Sequence, residues 1–326
     1  MPMWAGIDEA GYGPALGPLV VAGTAFIVPE PPADGEDLWA PLRDAVARHA
    51  RGSDGRLVVN DSKVVYAGPL GLRRLEEGVL GFLHAGAAAA VRSGADLLSV
   101  LASGRPAEPE PHPWFRDAAA LPLPQASNLS AVLSKASVLR EALRRAGVRP
   151  LAVRAAVVMP PEFNRIVSRT RNKSLILFQK CGLLLQEMWR HVGEGESRVL
   201  VDRHGGRARY RRLLLDVFPH CRCDVLEEGD RCSAYRIRDD RHPGRTLRVT
   251  FQEGGDRRVL PTALASMVAK YVRELYMAAF NAYWQQRLDG LRPTAGYHGD
   301  AQRFLRDIGG VLEAEGVDAS ALVRVR

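Results

Sequence analysis

Lysine is scarce in this chain. Of the 45 basic side chains among its 326 residues only Lys63, Lys135, Lys173, Lys180 and Lys270 are lysines, and the rest are arginines. Where a chain leans so far towards the planar guanidinium, a retained ammonium marks a place where a compact point charge has a task of its own. Cysteine is scarce too, at four residues, which excludes a disulfide scaffold. No run approaches the roughly 20 apolar residues of a membrane span, and no internal repeat is present. Asp8 and Glu9 stand where an export signal would need its apolar segment, so a cytoplasmic protein without membrane association is expected. What is present is an ordinary globular composition, 46% hydrophobic and 25% charged, enough to bury a large core. The formal charge of +8 suits a polyanionic partner, or is simply the modest basicity of many bacterial proteins.

Cys221, Cys223 and Cys232 with His220 could be drawn as a zinc set, but C-x-C is not the paired C-x-x-C knuckle. Small hydrophobes on a strand, with Cys221 and Cys223 on one face, are the simpler expectation.

The order of segments points to an α/β fold with a mixed sheet. Strands are expected at 3–9, 19–28, 150–159, 197–202, 221–228, 233–239 and 245–253, the last two forming a hairpin, and the helix expected at 36–50 leads to LVVNDSK (57–63). Helices are expected at 36–50, from Pro69 to about 84, from Asn128 to Gly147, over 174–191, over 262–284 and over 299–308. Residues 85–125, with their Pro-rich SGRPAEPEPHPWF, receive no fold and are read as a surface excursion.

Chemistry in such a sheet sits at strand ends. Asp8 and Glu9 close the first strand and Asp202 closes VLVD. One acid after a strand is usually a turn or a helix cap, but three brought to one place by neighbouring strands would repel unless a cation neutralised them. Hard oxygen donors without nearby Cys or His suit Mg²⁺ or Mn²⁺.

GIDEAGYGPALGPLVVA, VNDSK, VLVD, a GGD ten residues before the Ser of ALASMVAK, and GYHGD follow one another in this order. As an ordered set they resemble the type 2 ribonuclease H family, bacterial ribonuclease HII. The resemblance implies a single ribonuclease H-like domain over 1–326. Its mixed five-stranded sheet would be flanked by helices, with a helical C-terminal part over about 259–326 and a family-atypical insertion at about 85–149. It also implies two-metal hydrolysis of the RNA strand of RNA/DNA hybrids, or of ribonucleotides embedded in duplex DNA, leaving 5′-phosphate and 3′-hydroxyl ends. Carried over by motif, the metal-holding carboxylates are Asp8, Glu9, Asp202 and Asp256, and Glu274 is left as a helix-surface acid.

Gly11, Tyr12 and Gly13 match the family's Gly-Arg-Gly loop, which reads the ribose 2′-hydroxyl through backbone groups. Tyr297 matches the tyrosine that packs on the sugar. Lys63, with Asn60 and Ser62 in support, matches the lysine near the substrate phosphate, and Lys270 is also a family position. Tyr12 departs from the family's arginine, so a phosphate contact is lost and the handling of single ribonucleotides is open. After Asp202 the family's glycine is replaced by RHGGRARYRR, where Arg207 and Arg211 would share a helix face and could contact phosphate, or form a solvated surface. Extra length at 30–56, 85–149 and 229–246 would cover the groove or add a partner surface. The rival reading is a hybrid-binding protein of the same fold, catalytically weak or inactive.

Overall fold

The computed structural model describes residues 1–30, 37–86, 90–102 and 111–325. Its strands are β1 (Met3–Ala10), β2 (Leu19–Ile27), the two-residue β3 (Val46–Ala47) and β4 (Leu57–Val58), β5 (Arg149–Val158), β6 (Gly195–Asp202), β7 (Cys221–Glu228), β8 (Cys232–Asp239) and β9 (His242–Gln252). The helices are α1 (Ser62–Tyr66), α2 (Gly71–Ala85), α3 (Gly94–Leu101), α4 (Pro113–Arg116), α5 (Leu129–Arg145), α6 (Pro160–Thr170), α7 (Lys173–Trp189), α8 (Arg211–Val217), α9 (Leu260–Gln285), α10 (His298–Asp307) and α11 (Gly309–Glu315).

The main sheet runs β5-β2-β1-β6-β9-β8-β7. It is mixed: β1 pairs in parallel with β6 and β6 with β9, while the outer pairings are antiparallel. The α/β class therefore holds, but the sheet has seven strands where five were expected, because the β7-β8-β9 meander continues its hydrogen bonding without a break. Strand alternation divides the core in two. Trp4, Val20, Ala22 and Phe26 face α9, α2 and α5, whereas Met3, Ala5, Ile7, Leu19 and Val21 face α7. β2 is buried along its whole length, which is why it reads as a nearly continuous apolar run, interrupted by Thr24, rather than an alternating one.

The start of α9 lies hard against β1. A Cβ on Gly6 would come within 2.1 Å of the Thr262 nitrogen, so only glycine allows the approach. Thr262 and Thr24 then pin the helix, donating to the carbonyls of Leu200 at 3.0 Å and Pro261 at 2.7 Å.

Two expectations need correction. Residues 37–45 form turns rather than a helix: Asp37 accepts the amides of Trp39 and Ala40, and the chain then pairs β3 in parallel with β4. The first residue of the expected span, at 36, lies outside the described residues. The 85–125 stretch is not simply a surface excursion. Leu97, Leu101, Trp114 and Phe115 are buried, and Trp114 stacks on Trp284 of α9 with ring centroids 6.0 Å apart; residues 87–89 and 103–110 of that stretch lie outside the described residues. Helices α6 and α11 escaped the sequence reading, the first because Pro160-Pro161 at its first turn reads as a break.

Candidate active site

Parallel pairing of β1 with β6, in register from Trp4 with Arg198 to Ile7 with Val201, brings both strands to a common carboxyl-terminal edge. Asp8 and Glu9 leave β1 there and Asp202 leaves β6. One carboxylate oxygen from each lies within 4.8 Å of the others, and this is the one cluster of potential metal ligands among the described residues. β9 ends at the same edge and turns through Gly254, whose φ of 67° is left-handed, into the short 3-10 turn carrying Asp256. The Gly255 amide donates to Asp202 Oδ1 at 3.0 Å, tying that turn to β6. Asp256 is thus a neighbour of the cluster, close enough for its charge to act on Asp8 and Glu9, though outside the tight group of three.

Burial and mutual repulsion govern this edge. Burial first, then the charges of Glu9, Asp202 and Asp256, hold the Asp8 carboxyl well above its usual range. Burial and Asp202 push Glu9 up to about 8. Asp202 is raised by burial against three backbone donors, and Asp256 reaches about 6 through burial and the charges of Asp61 and Asp202. Lys63, an exposed ammonium on α1, opposes the rise at Glu9, Asp202 and Asp256. The donor set is all hard oxygen, it is partly desolvated, and its anions outnumber the nearby cations. It fits a divalent Mg²⁺- or Mn²⁺-type ion.

The loop after Glu9 lies beside the cluster. Gly11 has φ 87°, and a Cβ there would meet the Pro18 carbonyl at 2.5 Å and the Arg273 side chain at 2.8 Å. Nothing would crowd a side chain at Gly13, which is exposed at the tip. Tyr12 is half-buried against the α7-side core, and burial and the Glu9 charge raise its phenol. Tyr297 caps α10 and is 55% exposed.

Asn60 and Ser62 are engaged within the protein. Asn60 Nδ2 donates to the Arg48 carbonyl at 2.8 Å, and Ser62 Oγ accepts from Ser266 Oγ at 3.0 Å. Lys270 is paired with Glu274 at 2.5 Å and lies over the Tyr66 ring at 4.4 Å, so Glu274 is a partner in a polar cluster rather than a solitary surface acid. Arg207 and Arg211 do not share a helix face, because α8 begins only at Arg211. Arg207 instead donates to Ser174 Oγ at 2.7 Å, with its charge felt at the Tyr12 phenol, and Arg211 points to the Cys223 carbonyl. Cys221 and Cys223 pack with the α7-side core, and no described metal cluster includes them.

Residues that the sequence reading passed over support the site. Asp61 caps α1 through the Lys63 amide and accepts from Arg257 Nη2 at 2.9 Å. The Arg257 carbonyl in turn accepts from Arg48 Nη2 at 2.6 Å, so residues 37–59 buttress the turn bearing Asp256. Ser266 supplies a hydrogen bond that favours ionised Asp8. Asp61 stands inside the NDSK motif and was visible there; the reach of Arg48 and Arg257 across the fold was not.

No family profile matches the chain, and no curated protein matches it. Among solved structures it is similar to the RNase HII of Archaeoglobus fulgidus, determined in a complex with PCNA, at 17% identity and TM-score 0.42, covering 99% of this chain and 94% of that one. It is also similar to ribonuclease H2 from Pyrococcus horikoshii OT3, at 14% identity and TM-score 0.44, covering 99% and 92%. A third similar structure is Bst-RNase HIII in complex with Mn²⁺, at 15% identity and TM-score 0.40, covering 99% of this chain and 66% of that one. All three likenesses lie at 17% identity or less, so what the site does rests on the chain's own residues.

Proposed function

We propose that the protein is a metal-dependent endonuclease that hydrolyses the RNA strand of RNA/DNA hybrids, leaving 5′-phosphate and 3′-hydroxyl ends. The observation that carries this reading is the convergence of Asp8, Glu9 and Asp202 within 4.8 Å at a desolvated strand edge, beside an open glycine loop. Asp8, Glu9, Asp202 and Asp256 are the groups that would hold Mg²⁺ or Mn²⁺. When bound, two such ions supply an activated water and charge stabilisation at the leaving oxygen of a phosphodiester.

The remaining work falls to the chain. The Gly11–Gly13 tip offers close backbone approach to the ribose, whose 2′-hydroxyl separates RNA from DNA. Tyr297 presents an exposed ring to the sugar. Lys63 sets a compact positive charge beside the carboxylates, where a phosphate would lie. Tyr12 in place of an arginine supports a preference for continuous hybrid tracts over single ribonucleotides in duplex DNA.

The test is cleavage of two labelled duplexes with Mg²⁺ or Mn²⁺, one a continuous hybrid and one DNA with a single ribonucleotide, with Asp8→Asn as control. Cleavage that disappears in the control supports the nuclease. Binding of the hybrid without cleavage of either duplex would favour the rival, a binding protein of this fold.

A further inference from the structure

The loop after Glu9 rests on two guanidiniums from distant parts of the chain. Arg273 of α9, 2% exposed, donates through Nη2 to the carbonyls of Leu16 at 3.2 Å and Ala295 at 3.0 Å. Arg324 lies in the C-terminal segment that follows the 3-10 turn Ala319–Ala321. Its Nη2 donates to the Pro14 carbonyl, and its amide donates to the Ala15 carbonyl at 2.8 Å. Leu16 and Val323 add an antiparallel bridge. Three successive carbonyls of the loop base, those of Pro14, Ala15 and Leu16, are therefore taken from below by these two arginines.

The segment is anchored at its other side on α6. Asn164 accepts from the Val325 amide at 2.8 Å and donates to the carbonyls of Val323 at 2.7 Å and Ser320 at 3.1 Å. The Gly296 carbonyl accepts the amides of Ala15 at 2.8 Å and Leu16 at 3.2 Å, so Tyr297, the next residue, is tied to the same base. Among the described residues no backbone partner takes the amides of Tyr12 and Gly13. The base is held and the donors of the tip are left open.

Arg324 is a costly way to fill this space. It is 3% exposed, it lies 5.0 Å from the Phe163 ring centroid, and no carboxylate pairs with it among the described residues. Its Nε and Nη1 are buried without hydrogen-bond partners. An apolar side chain of similar length would avoid the desolvation of an unpaired cation; what it could not do is bind a loop carbonyl.

We propose that Arg324 is a positioning residue for ribonucleotide recognition, clamping the base of the Gly11–Gly17 loop so that its tip and Tyr297 form one preorganised subsite. This rests on the reading of the loop as the place where the ribose is recognised. Preorganisation of this kind lowers the ordering cost of binding without touching the carboxylates.

The test uses the full chain and two variants, Arg324→Met and Asn164→Ala, with Arg324→Lys as the conservative replacement. Hydrogen exchange of the metal-free protein reads the loop, calorimetry reads Mn²⁺ binding, and steady-state cleavage of a continuous hybrid separates KM from kcat. In Arg324→Met, exchange is expected to quicken at residues 11–17 and 295–297, with Mn²⁺ affinity retained and KM raised about tenfold, while kcat changes far less. Asn164→Ala should show the same pattern more weakly, and it keeps the test available should Arg324→Met fail to fold. Lysine, which retains a donor, should recover part of the KM. Folded variants with unchanged loop exchange, or a loss of Mn²⁺ affinity in step with KM, would overturn the proposal. A wild-type chain that binds no hybrid would remove the recognition role and the proposed function with it, while exchange would still report whether Arg324 holds the loop.

Discussion

Two charged regions lie at opposite ends of one short loop, and they resolve burial in opposite ways. Before the loop, Asp8 and Glu9 join Asp202 and Asp256 in a group of anions whose compensation from Lys63 is incomplete. Beyond it, Arg273 and Arg324 place two cations under Pro14–Leu16, and only Arg273 has a carboxylate near, Glu274 at 3.7 Å. The cations are satisfied in part by backbone carbonyls, which are fixed dipoles belonging to the fold. The anions have few such donors, and carboxylates cannot donate to one another once ionised. The cationic region is therefore complete as folded, while the anionic region is suited to receive a cation from outside.

The largest effect should come from the anionic side. Asp8→Asn or Asp202→Asn should cut cleavage of a labelled hybrid by roughly a thousandfold, corresponding to a loss of about 4 kcal/mol of charge stabilisation, while gel-shift binding of the hybrid survives. Full activity in either variant would sink the contrast, since the cluster would then not be the reacting centre.

Next comes the loop that separates the regions. Gly11→Ala forces a side chain into a left-handed residue, about 1–2 kcal/mol, and onto the Pro18 carbonyl and the Arg273 side chain. Thermal unfolding should shift down and KM for the hybrid should rise. A variant with unaltered melting and KM would mean that the loop does not rest on Arg273.

The pH dependence of stability distinguishes the two regions directly. Glu9 moves from an ordinary 4.5 to about 8 on folding and Asp256 from 3.8 to about 6. Between those values the folded state binds more protons than the unfolded one, so stability falls as pH rises. The contribution of Glu9 is whole below pH 4.5 and is lost by about pH 8. The metal-free protein should therefore melt at lower temperature as pH is raised through this window. Glu9→Gln should flatten the slope, and saturating Mn²⁺ should lift the melting temperature most at the upper end. A melting temperature that is flat in pH without metal would contradict the picture of an uncompensated anionic edge.

The smallest effect is expected at Tyr12. Tyr12→Arg adds one exposed cation at the loop tip, worth up to about 1 kcal/mol or fivefold towards a phosphate, and should raise cutting at a single embedded ribonucleotide relative to a continuous hybrid. An unchanged ratio would show that side-chain charge at the loop tip does not set substrate choice.

Much of this protein is local and was legible in one dimension. The strands β1, β2, β5 and β6 and the long helices α5, α7 and α9 follow from hydrophobic periodicity and from signals such as Asn128, which accepts the Ala131 amide at 2.8 Å as the cap of α5. The carboxylates at strand ends announced themselves because a parallel sheet gathers such ends on one edge. Residues 37–45 misled because their apolar residues fit a helical spacing, while Asp37 and the pairing of β3 with β4 favour turns. Trp114 and Phe115 were hidden by the prolines before them, which mark a break but not whether the chain returns to the core.

What depended on the tertiary structure is every relation between residues far apart in the chain. Arg273 and Arg324 beneath Pro14–Leu16, Arg48 and Arg257 behind Asp256, and Ser266 beside Ser62 join segments up to 310 residues apart. No local pattern encodes them, because a guanidinium's choice of carbonyl is made by the packing of helices against the sheet. The sequence specified which groups could carry charge and where strands would end; the fold decided which of those charges would meet a partner and which would be left waiting for one.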